Sequence, residues 1–269
     1  MAEADARFQG SIPEMYDRHL GPVIFEPYAR DLARRVDVKA GQSVLEVACG
    51  TGIVTRRLRE RMPAGARLVA TDLNQPMIDY ARRSLGDPAD VEWDAADAMD
   101  LPFAAGTFDA VVMQFGLMFV PDKARAAGEA RRMLAPGGLL ALNVWDRLER
   151  NPFARIAHET IRARFPEDPP QFYKVPFGYA DPEEMRRELA AHGFGSISIE
   201  HVRLELRVTS ARFFAVGLVE GNPVRIAIEE RGGALPPVID AIAAALAKEC
   251  GDEPLVSTMQ AWVATARAE

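Results

Sequence analysis

The chain is short of cysteine, of continuous apolar sequence and of net basic charge. Cys49 and Cys250 are its only cysteines, so neither a disulfide framework nor a metal-ligating cluster is indicated, and a reducing compartment is expected. No Cys/His spacing suits zinc and no clustered carboxylates call for magnesium, so no metal is expected. No run reaches the roughly 18 apolar residues of a membrane span. The start, Met1 to Asp5, is acidic and lacks the basic flank and apolar run of a targeting peptide. These absences lead to the expectation of a cytoplasmic protein. Against 32 Lys+Arg stand 39 Asp+Glu, a formal net charge of −7, which gives no overall field for holding nucleic acid. Apolar residues at 48% and charged residues at 26% over 269 positions are those of a self-sufficient globular domain.

Apolar runs alternate with helical periodicity in the first half. Strands are expected at Ser43 to Ala48, Ala66 to Asp72, Val91 to Asp94, Phe108 to Phe115 and Gly138 to Val144; several are apolar on both faces, as parallel strands must be. Val54, Leu58 and Met62 recur at helical spacing after the first strand, and Pro76 opens a second helix, Met77 to Leu85. Phe25, Tyr28, Leu32 and Val36 form an amphipathic stripe ahead of the first strand. This order predicts a doubly wound α/β sheet. Later, Asn151 to Phe165 reads as a helix followed by a proline-broken segment, Pro166 to Pro176, with the character of a lid. Asp181, Pro182 and Glu184 start a helix that Gly193 stops. A strand at Ser196 to Leu206, helices at Arg212 to Val219 and Pro236 to Ala247, and a last strand at Ser257 to Ala266 complete the reading.

The sharpest local feature is Val44-Leu45-Glu46-Val47-Ala48-Cys49-Gly50-Thr51-Gly52, an apolar strand running into a small-residue turn at a helix start. Side chains this small let a ligand approach the backbone, and the helix N–H groups offer donors. The next strand ends in Asp72, twenty positions after Gly52, where a carboxylate can accept from a ribose diol. A dinucleotide fingerprint would place a third glycine where Thr55 stands, and its pyrophosphate would be repelled by Glu46; a cofactor with a cationic amino-acid end would not.

Together these residues resemble motif I of the class I S-adenosylmethionine-dependent methyltransferases, with Asp72 where that family has its ribose-binding acid. Asp97-Ala98, Phe108 to Val112 and Leu134-Ala135-Pro136-Gly137-Gly138 are similar to later blocks of the family. Leu101-Pro102-Phe103 and Met133 to Leu140 look like the ubiquinone/menaquinone-biosynthesis-like (type 11) subgroup. Ala48 departs from the glycine often found at its position. The resemblance covers about Tyr16 to Trp145. It implies a Rossmann-like, seven-stranded, mostly parallel sheet with helical insertions forming a substrate lid. On this basis the chain is expected to be one domain: a helical cover over 1–40, a cofactor core over 41–150, lid insertions at 151–180 and 211–250, and the last strand within 251–269.

The resemblance further implies S-adenosylmethionine as cofactor, with S-adenosylhomocysteine as product. Glu46, Ala48, Cys49 and Gly50 would surround the methionine end, Asp72 and Leu73 the ribose and one adenine face, and Asp97 and Ala98 the adenine edge. Gln114 and Phe115 would face the sulfonium and the acceptor, with Met77 and Tyr16 as further contacts. Of the histidines at 19, 158, 192 and 201, His19 and then His158 are the candidates for a base, with Tyr16 beside them. Phe153, Phe165, Phe172, Tyr173, Phe177, Phe213 and Phe214 make the insertions aromatic, which suggests a small apolar or aromatic acceptor; a homodimer surface is an alternative use for them. The expected activity is methyl transfer to such a molecule, with O-, C- and N-methylation all open. The alternative is a noncatalytic cofactor-binding or partner-binding protein that retained the fold.

Overall fold

The computed structural model describes Phe8 and residues 10–269; the acidic start Met1 to Asp5 lies outside the described residues. A seven-stranded sheet has the order β3-β2-β1-β4-β5-β7-β6. Its strands are β1 Ser43–Val47, β2 Arg67–Asp72, β3 Val91–Ala95, β4 Phe108–Gln114, β5 Leu134–Trp145, β6 Phe194–Val208 and β7 Leu255–Ala268. The first five pair in parallel, and β7 inserts antiparallel between β5 and β6. Helices α1 Ile12–His19, α2 Glu26–Arg34, α3 Ile53–Arg61, α4 Gln75–Ser84, α5 Lys123–Met133, α6 Pro152–Arg164 and α7 Pro182–Ala191 follow the chain up to β6. Between β6 and β7 come α8 Ala211–Glu220, α9 Val224–Glu230 and α10 Leu235–Cys250.

The central strands are apolar on both faces because helices cover both: Val44, Leu45, Leu68, Val69, Val111 and Val112 are buried. Strand direction in the order 2-1-4 puts the crossovers of β1 and β4 on opposite sides, so their carboxyl ends part and leave a crevice between them. The amphipathic stripe predicted before β1 is interrupted. Gly21–Phe25 is a π-helical segment set between α1 and α2, and Gly21 there passes close to Asp17 and Ile53, whose atoms lie 3.3 and 3.4 Å from where a Cβ would stand. Glu26, buried at the start of α2, gathers Arg30, Arg56 and Arg57, tying the cover to α3.

The rear of the sheet is fixed by one side chain. Asn151 is fully buried; its Nδ2 donates to the carbonyls of Asp146, Arg147 and Gln260, and its Oδ1 accepts from Gln260 N at 2.9 Å. Asp146 adds bonds from His201 and from the Trp262 indole. Asn151 thus joins the end of β5 to β7 and starts α6. Replacing it by Leu strands these backbone groups, and unfolding in denaturant should show a loss of roughly 3 kcal/mol.

Candidate functional site

The crevice holds a cavity of about 750 Å³ walled by Tyr16, Val47, Ala48, Gly50, Asp72, Leu73, Asn74, Met77, the 96–99 loop, the end of β4 and Phe119 to Pro121. Its floor is the turn from β1 into α3. Ala48, Gly50 and Gly52 all have left-handed backbone, with φ of 57°, 55° and 82°. At Gly50 an added Cβ would meet nothing within 4 Å, whereas at Gly52 it would lie 3.1 Å from both Ala81 of α4 and Leu85 just past its end. The one glycine therefore opens the backbone to the cavity and the other lets α4 close on the turn.

Asp72, buried at the end of β2, holds this turn. Its Oδ2 accepts from Gly50 N at 2.9 Å and its Oδ1 from Asn74 N at 2.8 Å. Burial raises its pKa, while the Asn74 and Gly50 amides pull it back down. Oδ1 also accepts from Asn74 Nδ2 at 3.3 Å, so Oδ2 is the oxygen that keeps acceptor capacity for a ligand. Leu73 beside it is 61% exposed, an apolar surface placed at the mouth. Across the cavity, Asp97 folds its loop by accepting from Met99 N at 2.8 Å. Arg132 of α5 donates to the carbonyls of Leu101 and Phe103, and Glu129 accepts from Leu101 N. Leu101-Pro102-Phe103 is thus the anchored return of the loop that presents Asp97 and Ala98.

The cover helix is latched to the same turn. Asp17 accepts from Thr51 Oγ1 and from the Tyr80 hydroxyl, both at 3.1 Å, so α1, the β1 turn and α4 meet at one carboxylate. Neighbouring Tyr16 stacks on Phe25 at 4.5 Å and lines the cavity. At the end of β4, Phe115 is left-handed with φ 49°, held by Asn143 Oδ1, which accepts from its N–H at 2.9 Å. Gln114 Nε2 donates to Phe25 O.

Beyond Tyr16, Phe115 and Phe119 lies a narrower chamber of about 50 Å³, which shares those three walls, and Phe8, with the first cavity. Trp145 stacks on Phe115 at 3.9 Å, and Phe177 lies over Trp145 at 5.9 Å.

A family model described as a methyltransferase domain matches residues 45–142. A demethylmenaquinone methyltransferase of Corynebacterium urealyticum is 31% identical over 179 residues, covering 63% of this chain and 74% of its own. Nocamycin O-methyltransferase of Saccharothrix syringae is 31% identical over 223 residues, covering 77% and 78%. The chain belongs to the class I S-adenosylmethionine-dependent methyltransferases. Its fold is similar to that of Haemonchus contortus phosphoethanolamine N-methyltransferase 2 solved with S-adenosyl-L-methionine, with a TM-score of 0.61 at 17% identity over 96% of this chain and 57% of that one.

As an S-adenosylmethionine-dependent methyltransferase, the chain brings most of the sequence-predicted residues to one cavity: Tyr16, Ala48, Gly50, Asp72, Leu73, Met77, Asp97, Ala98, Gln114 and Phe115 all line it. Glu46 and Cys49 do not. Glu46 is turned behind the wall, where its Oε2 accepts from Thr55 Oγ1 at 2.7 Å, and Cys49 is buried in the turn. The predicted bases are also elsewhere. His19 packs on Phe213 and pairs its Nδ1 with Phe213 O at 3.0 Å; His158 is buried on α6 with Nδ1 unpartnered. Burial lowers the pKa of both, and neither lines the cavity or the chamber. Tyr16 does, but burial and then the charges of Asp72 and Asp17 push its phenol up, which keeps it a donor and not a base. Of the insertion aromatics, Phe153, Phe172, Tyr173 and Phe177 line the chamber. Phe214 is core, Phe213 packs on His19, and Phe165 lies against Gly233. Asn143 and Asp17 escaped sequence reading because their partners lie on other elements, whereas Asn74 bonds Asp72 two residues before it; only the adjacency of Asp17 to Tyr16 could have drawn attention to it.

Two predictions follow from strain and burial. An Ala at 116 would put its Cβ 2.6 Å from that of Ala48. Gly116→Ala should therefore cost about 2 kcal/mol, Ala48→Gly should relieve about 1 kcal/mol of left-handed strain, and a double-mutant cycle by denaturant unfolding should show the clash largely removed in the double variant. Burial pushes the Glu46 carboxyl from 4.5 up to about 8. Because the folded pKa is the higher one, its contribution is fully present below about pH 4.5 and is lost as pH rises toward 8. Relative to Glu46→Gln, wild-type stability should fall by a few kcal/mol, in order of magnitude, across that window.

Proposed function

We propose that the chain methylates a small apolar or aromatic molecule held where the larger cavity adjoins the aromatic chamber, with S-adenosylmethionine in the larger cavity. The observation that carries this reading is the wall shared by the two spaces, Tyr16, Phe115 and Phe119. The relatives named for demethylmenaquinone and nocamycin fit a small-molecule acceptor.

The cavity residues fit this cofactor. Asp72 Oδ2 has acceptor capacity left for a ribose hydroxyl, and Gly50 offers a backbone surface free of any side chain. Leu73 and Met77 would sandwich the adenine, with Asp97 and Ala98 at its edge; Ala48 and Gly50 would border the methionine end, with Tyr16 above as a donor. Buried acids and no lining cation among the described residues make the interior suited to a positively charged ligand.

S-adenosylmethionine supplies a sulfonium-bound methyl group that leaves by in-line displacement. The protein's part is alignment and exclusion of water. Phe115 and Gln114 are fixed by Asn143 and by Phe25 O at the end of β4, where they define the line between the two spaces. Phe8 packs edge-on against Tyr16 and Phe119, narrowing access from solvent. No histidine, lysine or free carboxylate lines the chamber among the described residues, so rate enhancement comes from positioning and desolvation and not from a dedicated side-chain base.

Calorimetric titration of wild-type protein with S-adenosylmethionine and S-adenosylhomocysteine should show saturable binding, weakened about 10-fold or more in Asp72→Ala, since a hydrogen bond to a charged group is lost. Equal affinity in wild type and variant would remove Asp72 from the cofactor site.

A further inference from the structure

The polar groups around the chamber differ in whether their protons are committed. From the insertions, Tyr173 donates its hydroxyl proton to Leu218 O at 2.7 Å, and Asn222 Nδ2 donates to the carbonyls of Gly217 and Leu218. Trp145, the last residue of β5, is different. It is 3% exposed and walls the chamber but not the larger cavity. Of the tryptophan indoles, only that of Trp262 donates to a partner among the described residues, Asp146. The Trp145 N–H is not sealed in either: the fully enclosed side-chain atoms without a partner belong to Glu26, Arg57, Trp93, His158 and Gln171. The open space before a Trp145 N–H that is otherwise buried is therefore the chamber. Its ring is held in place, stacked on Phe115 at 3.9 Å with Phe177 over it at 5.9 Å. A buried indole N–H ordinarily has a partner, and leaving it unpaired costs free energy.

The size of the chamber limits what that partner is. About 50 Å³ takes a water-sized group and not an aromatic ring. A ring stays in the larger cavity, against Phe115 and Phe119, and only a substituent passes inward. Resting on the function proposed above, we propose that the Trp145 indole N–H is a specificity determinant for the methyl acceptor, donating to a carbonyl-type oxygen that projects past Phe115 into the chamber while the body of the molecule remains in the larger cavity. Phe153, Phe172 and Phe177 make the surroundings of this N–H apolar, which strengthens a bond to an oxygen lone pair and penalises a substituent that has none. A site of this kind separates a carbonyl from a methylene group of the same shape, which apolar fit alone cannot do. Tyr16 lines both spaces, so its proton also serves the cofactor side; Trp145 is the donor that belongs to the chamber alone.

The test uses the full chain, saturated with S-adenosylhomocysteine and carrying ¹⁵N-labelled tryptophan. The chain has 3 tryptophans, so the indole N–H signals are few, and Trp145→Phe assigns the one that matters. The probes are acetophenone and α-methylstyrene, which share ring and shape and differ by an oxygen in place of a methylene group. Acetophenone should move the Trp145 indole signal downfield and bind about 5-fold more tightly than α-methylstyrene, which should leave that signal without a downfield shift. In Trp145→Phe the two probes should bind equally, with S-adenosylhomocysteine affinity unchanged; a loss of packing alone would weaken both probes alike and keep their ratio. Equal binding of the probes to wild type, a preference that survives in the variant, or no probe binding would each overturn the proposal. So would a Trp145 signal that acetophenone does not move, since the chamber then holds water only. If the variant does not fold, the wild-type ranking and the indole shift still decide. Failure of S-adenosylhomocysteine to bind wild type is a separate result, which overturns the cofactor assignment and with it the proposal.

Discussion

The turn that leaves β1 depends on a single carboxylate. Ala48, Gly50 and Gly52 run through left-handed backbone, a sequence of conformations that a free chain would not hold, and Asp72 pins it by accepting from Gly50 N across the strand boundary. The same carboxylate caps the turn at Asn74, so β1 and β2 end in one hydrogen-bonded unit. Asp17 then fastens Thr51 to the cover helix and to α4. Cavity floor, side wall and cover are consequently one connected structure, and a change at Asp72 is felt in all three.

This connectivity explains what the sequence revealed and what it hid. The glycine turn, the strand before it and the acid twenty positions on were legible because the conformations involved restrict residue type: left-handed backbone favours glycine, and a strand buried on both faces must be apolar. Ala48 shows the limit of that logic. It sits at φ 57° and its methyl group fills the space that Gly116 leaves, so a residue disfavoured locally is accommodated by a neighbour 68 positions away. Strand limits were read within a few residues, apart from β5, which begins earlier than Gly138 because Leu134 pairs with Phe108. The helices α1 and α9 were not singled out.

Glu46 and the histidines illustrate the opposite case, in which residue type suggested a role and the side chain lies outside the lining of both spaces. An acid within an apolar strand invites assignment to a cationic ligand, yet Thr55 on the first turn of α3 takes its oxygen and holds it behind the wall. His19 and His158 lie on the elements expected to cover the acceptor, but a helix has a buried and an outward face, and both side chains are committed to packing between covers. A position on the right element is weaker information than a direction toward the cavity, and only the direction bears on chemistry.

The chamber was the least legible part because no one segment encodes it. The chamber draws on α1, the π-helical segment, β4, β5, α6, the proline-broken loop and the loop after α8, and an aromatic residue contributes to it or to the core according to tertiary packing alone. Phe177 faces Trp145 while Phe214 is fully buried against the covers, though both stand in aromatic insertions. The contrast between the two spaces then gives the architecture its chemical sense. The larger one has the buried Asp72 and open backbone, and the smaller one has mainly aromatic faces. The left-handed Phe115, stacked on Trp145 and held by Asn143, is the boundary between the two.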